Sequence, residues 1–308
     1  MRALLLVNRT ATTTTARTRD VLVSALGRGR QLEVAETKYR GHATALARQA
    51  ARDCFGLVVA LGGDGTVNEA VNGLLSAGSR TDPPDLAVVP GGSTNVFARA
   101  LGLPRDPVEA TGAVLQALRA GSRRVVPMAR ADERYFTFCA GMGLDAEVIR
   151  AVDGLRASGY RSTPLLYVWA ALHHFFVVTD RRRPALTLER SDNEPVPGLF
   201  LGVVQNTAPW TYVGHRPVDP NPRADFDTGL DLFALRRLRT LATLNAVRQF
   251  LHVGRDFPRG RHILSLHDAT EFTLRASRPI AFQTDGEYLG ERESVTFHSA
   301  SATLRIVV

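Results

Sequence analysis

The chain has 308 residues, 44% of them hydrophobic and 22% charged, with a net charge of +8; that length favours two domains over one core, and the composition excludes a disordered or fibrous chain. The basic balance, with a pI near 10.2, favours anionic partners such as a nucleotide, an acidic membrane surface or nucleic acid. Of the 38 Lys and Arg residues only Lys38 is a lysine, and no Gly-Lys-Ser/Thr tripeptide follows a glycine loop, which excludes a Walker A site.

The N-terminal run MRALLLVNRT is too short for a signal peptide. Buried strands are then predicted at ALLLV, LEVAET, LVVAL and DLAVVP. Helical spacing appears between them at TRDVLVSALG, GHATALARQAARD and TVNEAVNGLLSAG. Strands alternating with helices imply a mostly parallel sheet covered on both faces, with its ligand site at the strands' carboxyl ends. After the helical DPVEATGAVLQALRAG the texture changes. Short strand-like runs dominate from Arg123 onward: RRVVPMARA, RYFTFCAG, PALTLER, LFLGVVQN, HILSLHDA, EFTLRA, IAFQTDG and SVTFH. Helical interruptions are expected over 146–156, 165–178 and near 241–251, and 191–197 reads as an exposed turn. The predicted domains are 1–128, α/β, and 129–308, β-rich, with the last strand free to pair back onto the first domain. The apolar run 165–178 is shorter than the roughly 20 residues of a membrane span. It reads as a buried helix; the alternative is a membrane-facing one, through Trp169, Phe175 and Phe176 with Arg181, Arg182 and Arg183 behind them. Cys54 and Cys139 stand far apart in apolar contexts and read as two small buried side chains of a reducing compartment. No histidine has metal-ligand spacing.

The first stretch that carries chemistry is VVALGGDGTVNEAVNGLL, 58–75. Gly62, Gly63 and Gly65 let the backbone turn tightly and approach a phosphate, and a helix starting near Thr66 aims its free N–H groups at the same place. Val67, Ala70, Val71 and Leu74 form its predicted buried stripe, with Asn68, Glu69 and Asn72 off it. The carboxylate of Asp64 would repel a polyphosphate unless a divalent cation or a transferable proton intervened, and both belong to phosphoryl transfer. A plain turn with a capping aspartate is the alternative. A second corner, Pro90-Gly91-Gly92-Ser93-Thr94-Asn95, lies between a strand and the helical VFARALG. Neither corner contains GxGxxG, which disfavours a dinucleotide-binding dehydrogenase.

Taken together, GGDGTVNEAVNGL, PGGSTNVFARALGLP, GMGLDAEVIR (141–150) and QTDGEYLG (283–290) resemble the diacylglycerol kinase catalytic domain of bacterial lipid kinases, related to sphingosine kinases. The likeness covers most of the chain. It implies an ATP-binding α/β N-terminal domain with an NAD kinase/phosphofructokinase-like parallel sheet, and a β-rich sandwich C-terminal domain for the lipid. It implies that Gly62, Gly63, Gly65, Thr66 and Glu69, with Gly92, Ser93, Thr94 and Asn95, hold ATP, and that Asn8 and Thr37 contact the nucleotide from the first two strand ends. Asp285 and Glu287 of the DGE segment answer the need for a proton acceptor. Asp285 is the favoured base, with Asp64 as the competing candidate or a partner through Mg²⁺. Asp225, Asp227 and Asp231 stand where relatives carry an acidic segment that looks like a structural Mg²⁺ site, a hard cation suited to carboxylate oxygens. Thr228 replaces the second aspartate of that segment's DDG, so a solvated loop is the alternative. The family's NPxSG is also altered: Asn8 is followed by RTATTTTARTR, without the glycine. GGSTN stands where many relatives have GTGND.

The predicted activity is ATP- and Mg²⁺-dependent phosphorylation of a lipid hydroxyl, diacylglycerol to phosphatidic acid being the family default. Its place would be the cytoplasmic side of the inner membrane, in peripheral contact with anionic headgroups. One alternative is an NAD kinase-like enzyme, which shares GGDG and the following Asn-Glu pair but not the second corner or DGE. Another is a weakly catalytic nucleotide- or lipid-binding module, motivated by the altered first loop. The arginines are scattered and no reader motif appears, which disfavours nucleic acid.

Overall fold

The computed structural model describes residues 2–9, 11, 16–28, 31–76, 83–158, 160, 163–251 and 256–308. The chain divides into two units, Met1–Met128 with Ala302–Val308, and Ala129–Ser301.

In the first unit β1 (Arg2–Val7), β2 (Gln31–Glu36), β3 (Leu57–Gly62) and β4 (Asp85–Pro90) form a parallel sheet in the order β4-β3-β1-β2. The strands β3 and β4 are buried at every position, which explains why they read as continuous apolar runs rather than alternating ones. The helices α1 (Ala16–Gly27), α2 (His42–Arg52) and α3 (Asp64–Leu75) connect the strands, and α4 (Val96–Ala100) and α5 (Pro107–Ala120) follow. The start of α5 is set locally: Asp106 accepts from the N–H groups of Val108 and Glu109, and Pro107 opens the first turn. Gly121, at φ +70°, ends it.

The chain end returns to this sheet. Ile306 pairs in parallel with Leu86, and the Val307 N–H donates to the Leu86 carbonyl at 2.9 Å. Asp85 fixes that return by binding Arg123 at 2.5 Å and Arg305 at 2.7 Å. The registers set Val7 opposite both Leu61 and Glu36, and Gly62 opposite Pro90. All four carboxyl ends therefore share one edge, and both glycine corners lie on it.

The second unit is antiparallel. Its strands are β5 (Arg124–Ala131, shared with the first unit), β6 (Arg134–Phe136), β7 (Cys139–Gly143), β8 (Leu186–Arg190), β9 (Asn193–Leu199), β10 (Leu201–Gln205), β11 (Thr211–Val213), β12 (Arg216–Val218), β13 (Leu230–Leu235), β14 (Ile263–Ala269), β15 (Glu271–Thr284) and β16 (Glu287–Ile306). The long strand β15 bends, pairing with β8 through Thr273–Ala276 and with β7 through Phe282–Thr284. One strand thus pairs with both β8 and β7, and Phe136, Leu232, Phe272 and Phe297 belong to one hydrophobic core of this unit. A second core, with Val203, Phe233 and Leu238, lies on the opposite faces of β10 and β13. Helices α6 (Leu144–Ala157), α7 (Pro164–His173), a π-helical turn (His174–Val178) and α8 (Thr240–Phe250) belong to the same unit, and Phe175 and Ala246 join this second core.

Several sequence expectations are corrected. The segment 191–197 is largely strand β9, which pairs with β8 and is mostly exposed before Leu199, with Val196 partly buried against the core. EFTLRA and IAFQTDG are one bent strand, as are SVTFH and the final ATLRI. Leu230–Leu235 forms the fully buried strand β13, absent from the predicted strands, and its Asp231 belongs to the predicted acidic cluster. Cys54 is exposed, at φ +61°, whereas Cys139 is buried. The run 165–178 is not a buried helix: Tyr167, Val168, Trp169, Leu172, Phe176, Val177 and Val178 are exposed. Asn68, Glu69 and Asn72 do not lie off the buried stripe of α3 but are buried with it, because the start of α2 packs there and donates its N–H groups to Glu69, while the Asn72 amide donates to Asn68. Thr12–Thr15 lie outside the described residues.

Candidate active site

The two glycine corners of the first unit touch. The Gly91 N–H donates to the Gly62 carbonyl at 2.7 Å, and a Cβ on Gly92 would stand 2.7 Å from the Cα of Gly63. No side chain fits between them, which is the physical reason for glycine at both positions. A Cβ on Gly62 would meet the Thr66 hydroxyl at 2.6 Å. That hydroxyl accepts from the Asn8 amide at 2.9 Å, and the Asn8 N–H donates to Leu61 at 3.0 Å. Thr37 follows β2 and donates its N–H to Val7. Asn8, Thr37 and the first turn of α3 are thereby placed along the same sheet edge. The opening N–H groups of α3 have no helical carbonyl to satisfy them, the usual basis of a phosphate site.

Asp64 is the first residue of α3, and its carboxylate reaches the other corner. Oδ2 accepts from the Val96 N–H at 3.0 Å and Oδ1 from the Phe97 N–H at 3.1 Å. It caps α4, not its own helix. Asn95, at φ +49°, closes the second corner on itself: Oδ1 accepts from the Gly92 N–H at 2.8 Å and Nδ2 donates to the Gly92 carbonyl at 2.7 Å. Glu69 is likewise occupied by scaffolding, accepting from the N–H groups of Gly41 at 2.7 Å and Ala43 at 3.0 Å and so capping α2. Ser93 is exposed, and Thr94 and Gly65 are half-buried.

In the second unit Asp285 and Gly286 are the central residues of the β15–β16 hairpin, with φ of +48° and +77° and Thr284 paired to Glu287. Two positive φ values make this a type I′ turn, for which Asp-Gly is a preferred sequence. The Asp285 side chain then folds back. Oδ2 accepts from the Thr137 N–H at 2.7 Å and its hydroxyl at 2.9 Å, and Oδ1 from the N–H groups of Phe138 at 3.0 Å and Cys139 at 3.1 Å. Four donors fill the acceptor sites of a carboxylate, and Asp285 is only 4% exposed.

Glu287 has a different setting. It is half-buried and pairs with Arg134 Nη2 at 3.2 Å, while Arg134 Nε donates to the Thr284 hydroxyl at 3.3 Å. Gln283 braces the turn from below, its Oε1 accepting from the Gly286 N–H at 3.0 Å and its Nε2 donating to Asp145 Oδ2 at 2.8 Å. Burial pushes the Asp145 carboxyl up to about 6, the Gln283 hydrogen bond opposing it. Arg134, Thr137 and Gln283 were not singled out in the sequence. Only Gln283, two residues before the Asp-Gly turn, stood in a recognisable segment.

The acidic cluster does not converge. Asp231, at the start of β13, is fully buried, and its Oδ1 contacts His267 Nδ1 at 2.7 Å and the Asp268 N–H at 3.0 Å. Burial holds its pKa above the ordinary value. Asp225 and Asp227 are exposed, and Asp225 Oδ1 accepts from the Asp227 N–H at 3.1 Å within their own turn. Among the described residues no three His, Cys, Asp or Glu side chains form a group able to hold a metal ion. As placed, these aspartates do not fit a structural Mg²⁺, and no step below depends on one.

Residues 2–130 match the family described as diacylglycerol kinase catalytic domain. A diacylglycerol kinase of Bacillus subtilis is 30% identical over 262 residues, covering 82% of this chain and 78% of that one. The solved structure of a putative diacylglycerol kinase from Bacillus anthracis matches 99% of this chain and 96% of its own with a TM-score of 0.76 at 22% identity. An NAD kinase from Archaeoglobus fulgidus, solved in complex with ATP, matches at a TM-score of 0.54 and 11% identity over 100% of this chain and 94% of its own, a likeness of fold alone.

Proposed function

The chain belongs to the diacylglycerol kinase family, and on that basis we propose that it transfers the γ-phosphate of ATP, taken as its magnesium complex, to the free hydroxyl of a diacylglycerol-type lipid. The observation that carries this reading is the paired glycine corner. Two loops with no room for side chains between them sit at the carboxyl edge of a parallel sheet, beside the N-terminus of α3 and the side chains of Asn8 and Thr66. Such an edge suits a polyphosphate.

Phosphoryl transfer asks the protein mainly for positioning and for an acceptor of the hydroxyl proton. We assign the acceptor to Glu287 rather than Asp285. Supporting this, the oxygens of Asp285 are already filled by four donors, whereas Glu287 is half-buried beside Arg134. Asp285 and Asp64 then act as positioning residues, one holding the DGE turn and the other joining the glycine corners. Backbone N–H groups near Gly63, Gly65 and Gly92, with Ser93, Thr94, Asn8 and Thr37, would contact the nucleotide. Glu69 and Asn95 would shape that contact through the backbone. The lipid would be met at the cytoplasmic face of the membrane by a peripheral protein; no described helix is long and apolar enough to cross a bilayer.

The test is incubation with labelled ATP and Mg²⁺ against diacylglycerol, a total lipid extract and NAD in parallel. Labelled phosphatidic acid is expected. Label on NAD and no lipid would transfer the chain to the NAD kinase-like alternative. ATP binding without turnover on any acceptor would leave a binding module.

A further inference from the structure

A second cationic site in the second unit uses none of the catalytic or nucleotide residues assigned above. Where α8 begins, Arg237, Asn245, Arg259, Arg261 and His262 line a pocket of about 190 Å³. Among the described residues no carboxylate lines it and no ion pair engages Arg236, Arg237, Arg239, Arg259 or Arg261. The pocket is held in shape by the backbone. The Arg236 N–H donates to the His262 carbonyl at 2.8 Å, and Gln249 clamps Arg259 from both sides, accepting its N–H at 2.8 Å and donating to its carbonyl at 3.0 Å. Partial desolvation and the guanidiniums of Arg237, Arg261 and Arg239 together lower the pKa of His262, so these cations share one positive field. No side chain caps the N-terminus of α8, whose dipole adds to that field.

Apolar side chains project beside this positive pocket. Leu241 is 83% exposed, and Leu244 and Val247 continue its face at helical spacing. Arg181 donates to the Thr240 hydroxyl at 3.3 Å and lies over the rings of Phe175 and Phe176, which joins this face to the exposed Phe176, Val177 and Val178 of the π-helical turn. Residues 236–251, RRLRTLATLNAVRQFL, contain four arginines and no acid. Exposed leucines beside unpaired arginines are the composition of an interfacial helix on an anionic bilayer.

We propose that this pocket is an anionic-headgroup site through which the second unit docks on a membrane, Arg237, Arg259 and Arg261 taking the lipid phosphodiester while Leu241 and Leu244 enter the acyl region. The positive charge disfavours a second copy of the chain, since a two-fold contact would oppose arginine to arginine. Nucleic acid would leave the exposed leucines and valines of this face without a partner. The proposal takes from the lipid-kinase reading only that the substrate lies in a bilayer.

The full chain, without ATP or diacylglycerol, is sedimented with phosphatidylcholine vesicles that contain or lack phosphatidylglycerol. Binding is expected only with the anionic lipid. Arg259→Ala and Arg261→Ala each weaken it roughly fivefold, the contribution of one cation near an anionic leaflet, and Leu241→Glu with Leu244→Glu abolishes it. Turnover of a short-chain diacylglycerol in detergent micelles stays unchanged in all of these variants. Vesicle binding that the arginine and leucine variants leave intact overturns the proposal. So does binding of inorganic phosphate or RNA, or self-association, that the same variants remove while wild-type protein ignores anionic vesicles. Wild-type protein that sediments as expected yet phosphorylates no lipid would sink the proposed activity and leave this site standing.

Discussion

The Oδ1 atom of Asp64 accepts the N–H of Phe97 at 3.1 Å, so a residue from the first glycine corner caps the helix that leaves the second. With the matching Val96 bond, this aspartate explains its own place inside a phosphate loop: its charge is directed to a helix N-terminus rather than to the ligand. Asp64→Ala removes both bonds from α4 at about 1–2 kcal/mol, the usual value of an N-cap. The corners then lose their common anchor. The KM for ATP should rise roughly tenfold or more, the factor that 1.4 kcal/mol commands, with Asp64→Asn intermediate because it keeps one carbonyl acceptor. Steady-state kinetics decide it. A normal KM with a collapsed kcat would return Asp64 to the proton or metal chemistry.

The DGE segment contains two acids with opposite expected phenotypes. Glu287→Gln should lower kcat by about 10²–10⁴, the range for losing a general base, while leaving urea unfolding unchanged. Asp285→Asn should do the reverse in stability. An amide in that cradle turns a donor toward the N–H groups of Thr137, Phe138 or Cys139, and each unsatisfied buried donor costs about 1–3 kcal/mol. A stable Asp285→Asn protein together with a fully active Glu287→Gln protein would refute both assignments.

The fold class was legible because the signals are local. Unbroken apolar runs gave β1, β3 and β4, and Asp-Gly at 285–286 carries the backbone preference of the turn it makes. What sequence could not show was long-range. Asp64 and Phe97 are 33 positions apart, and Asp285 reaches Thr137 across 148; a carboxylate reads the same whether it faces a ligand or a helix end. Asn68, Glu69 and Asn72 were assigned to the outer side of α3 by polarity, but α2 covers them and Glu69 caps it. β13 is not legible because Leu230–Leu235 continues directly from the acidic segment 225–231, whose carboxylates carry no strand pattern. The apolar run at 165–178 has no polar alternation, so its length alone suggested burial, and its exposed face became visible only in three dimensions.

Asp145 gives a pH dependence with a definite sign. Its carboxyl is raised from 3.8 to about 6 by burial, so the folded state holds the proton that the unfolded state releases. Stability from this group is therefore full below about pH 4 and declines as the pH rises through 4 to 6. Asp145→Asn keeps a carbonyl acceptor for Gln283 and removes the buried charge. At pH 7.5 it should gain up to about 3 kcal/mol, the equivalent of a shift near two units. The slope of unfolding free energy between pH 4 and 6 should fall without vanishing, because burial also raises Asp219 to about 6. Urea titrations across that range measure it, and a slope equal to wild type would place the proton elsewhere.

Two helical glycines separate propensity from packing. A Cβ on Gly73 would contact the Thr44 carbonyl oxygen and stand 2.7 Å from the Ala47 Cβ and 3.0 Å from the Arg48 nitrogen, all on α2. A Cβ on Gly112, inside α5, would meet nothing within 4 Å. Helix propensity alone favours alanine at both positions by about 0.8–1.0 kcal/mol. At Gly112 that gain should appear as a higher Tm. At Gly73 all three obstacles are backbone or Cβ atoms that cannot swing aside, and overpacking of this kind costs about 1–3 kcal/mol. Gly73→Ala should therefore lower the Tm and, by moving α2, disturb the Glu69 cap at Gly41 and Ala43. The KM for ATP should rise with it, since those residues follow the strand end that carries Thr37. Equal stabilisation by both substitutions would mean that α2 and α3 are not packed as tightly as Gly73 requires.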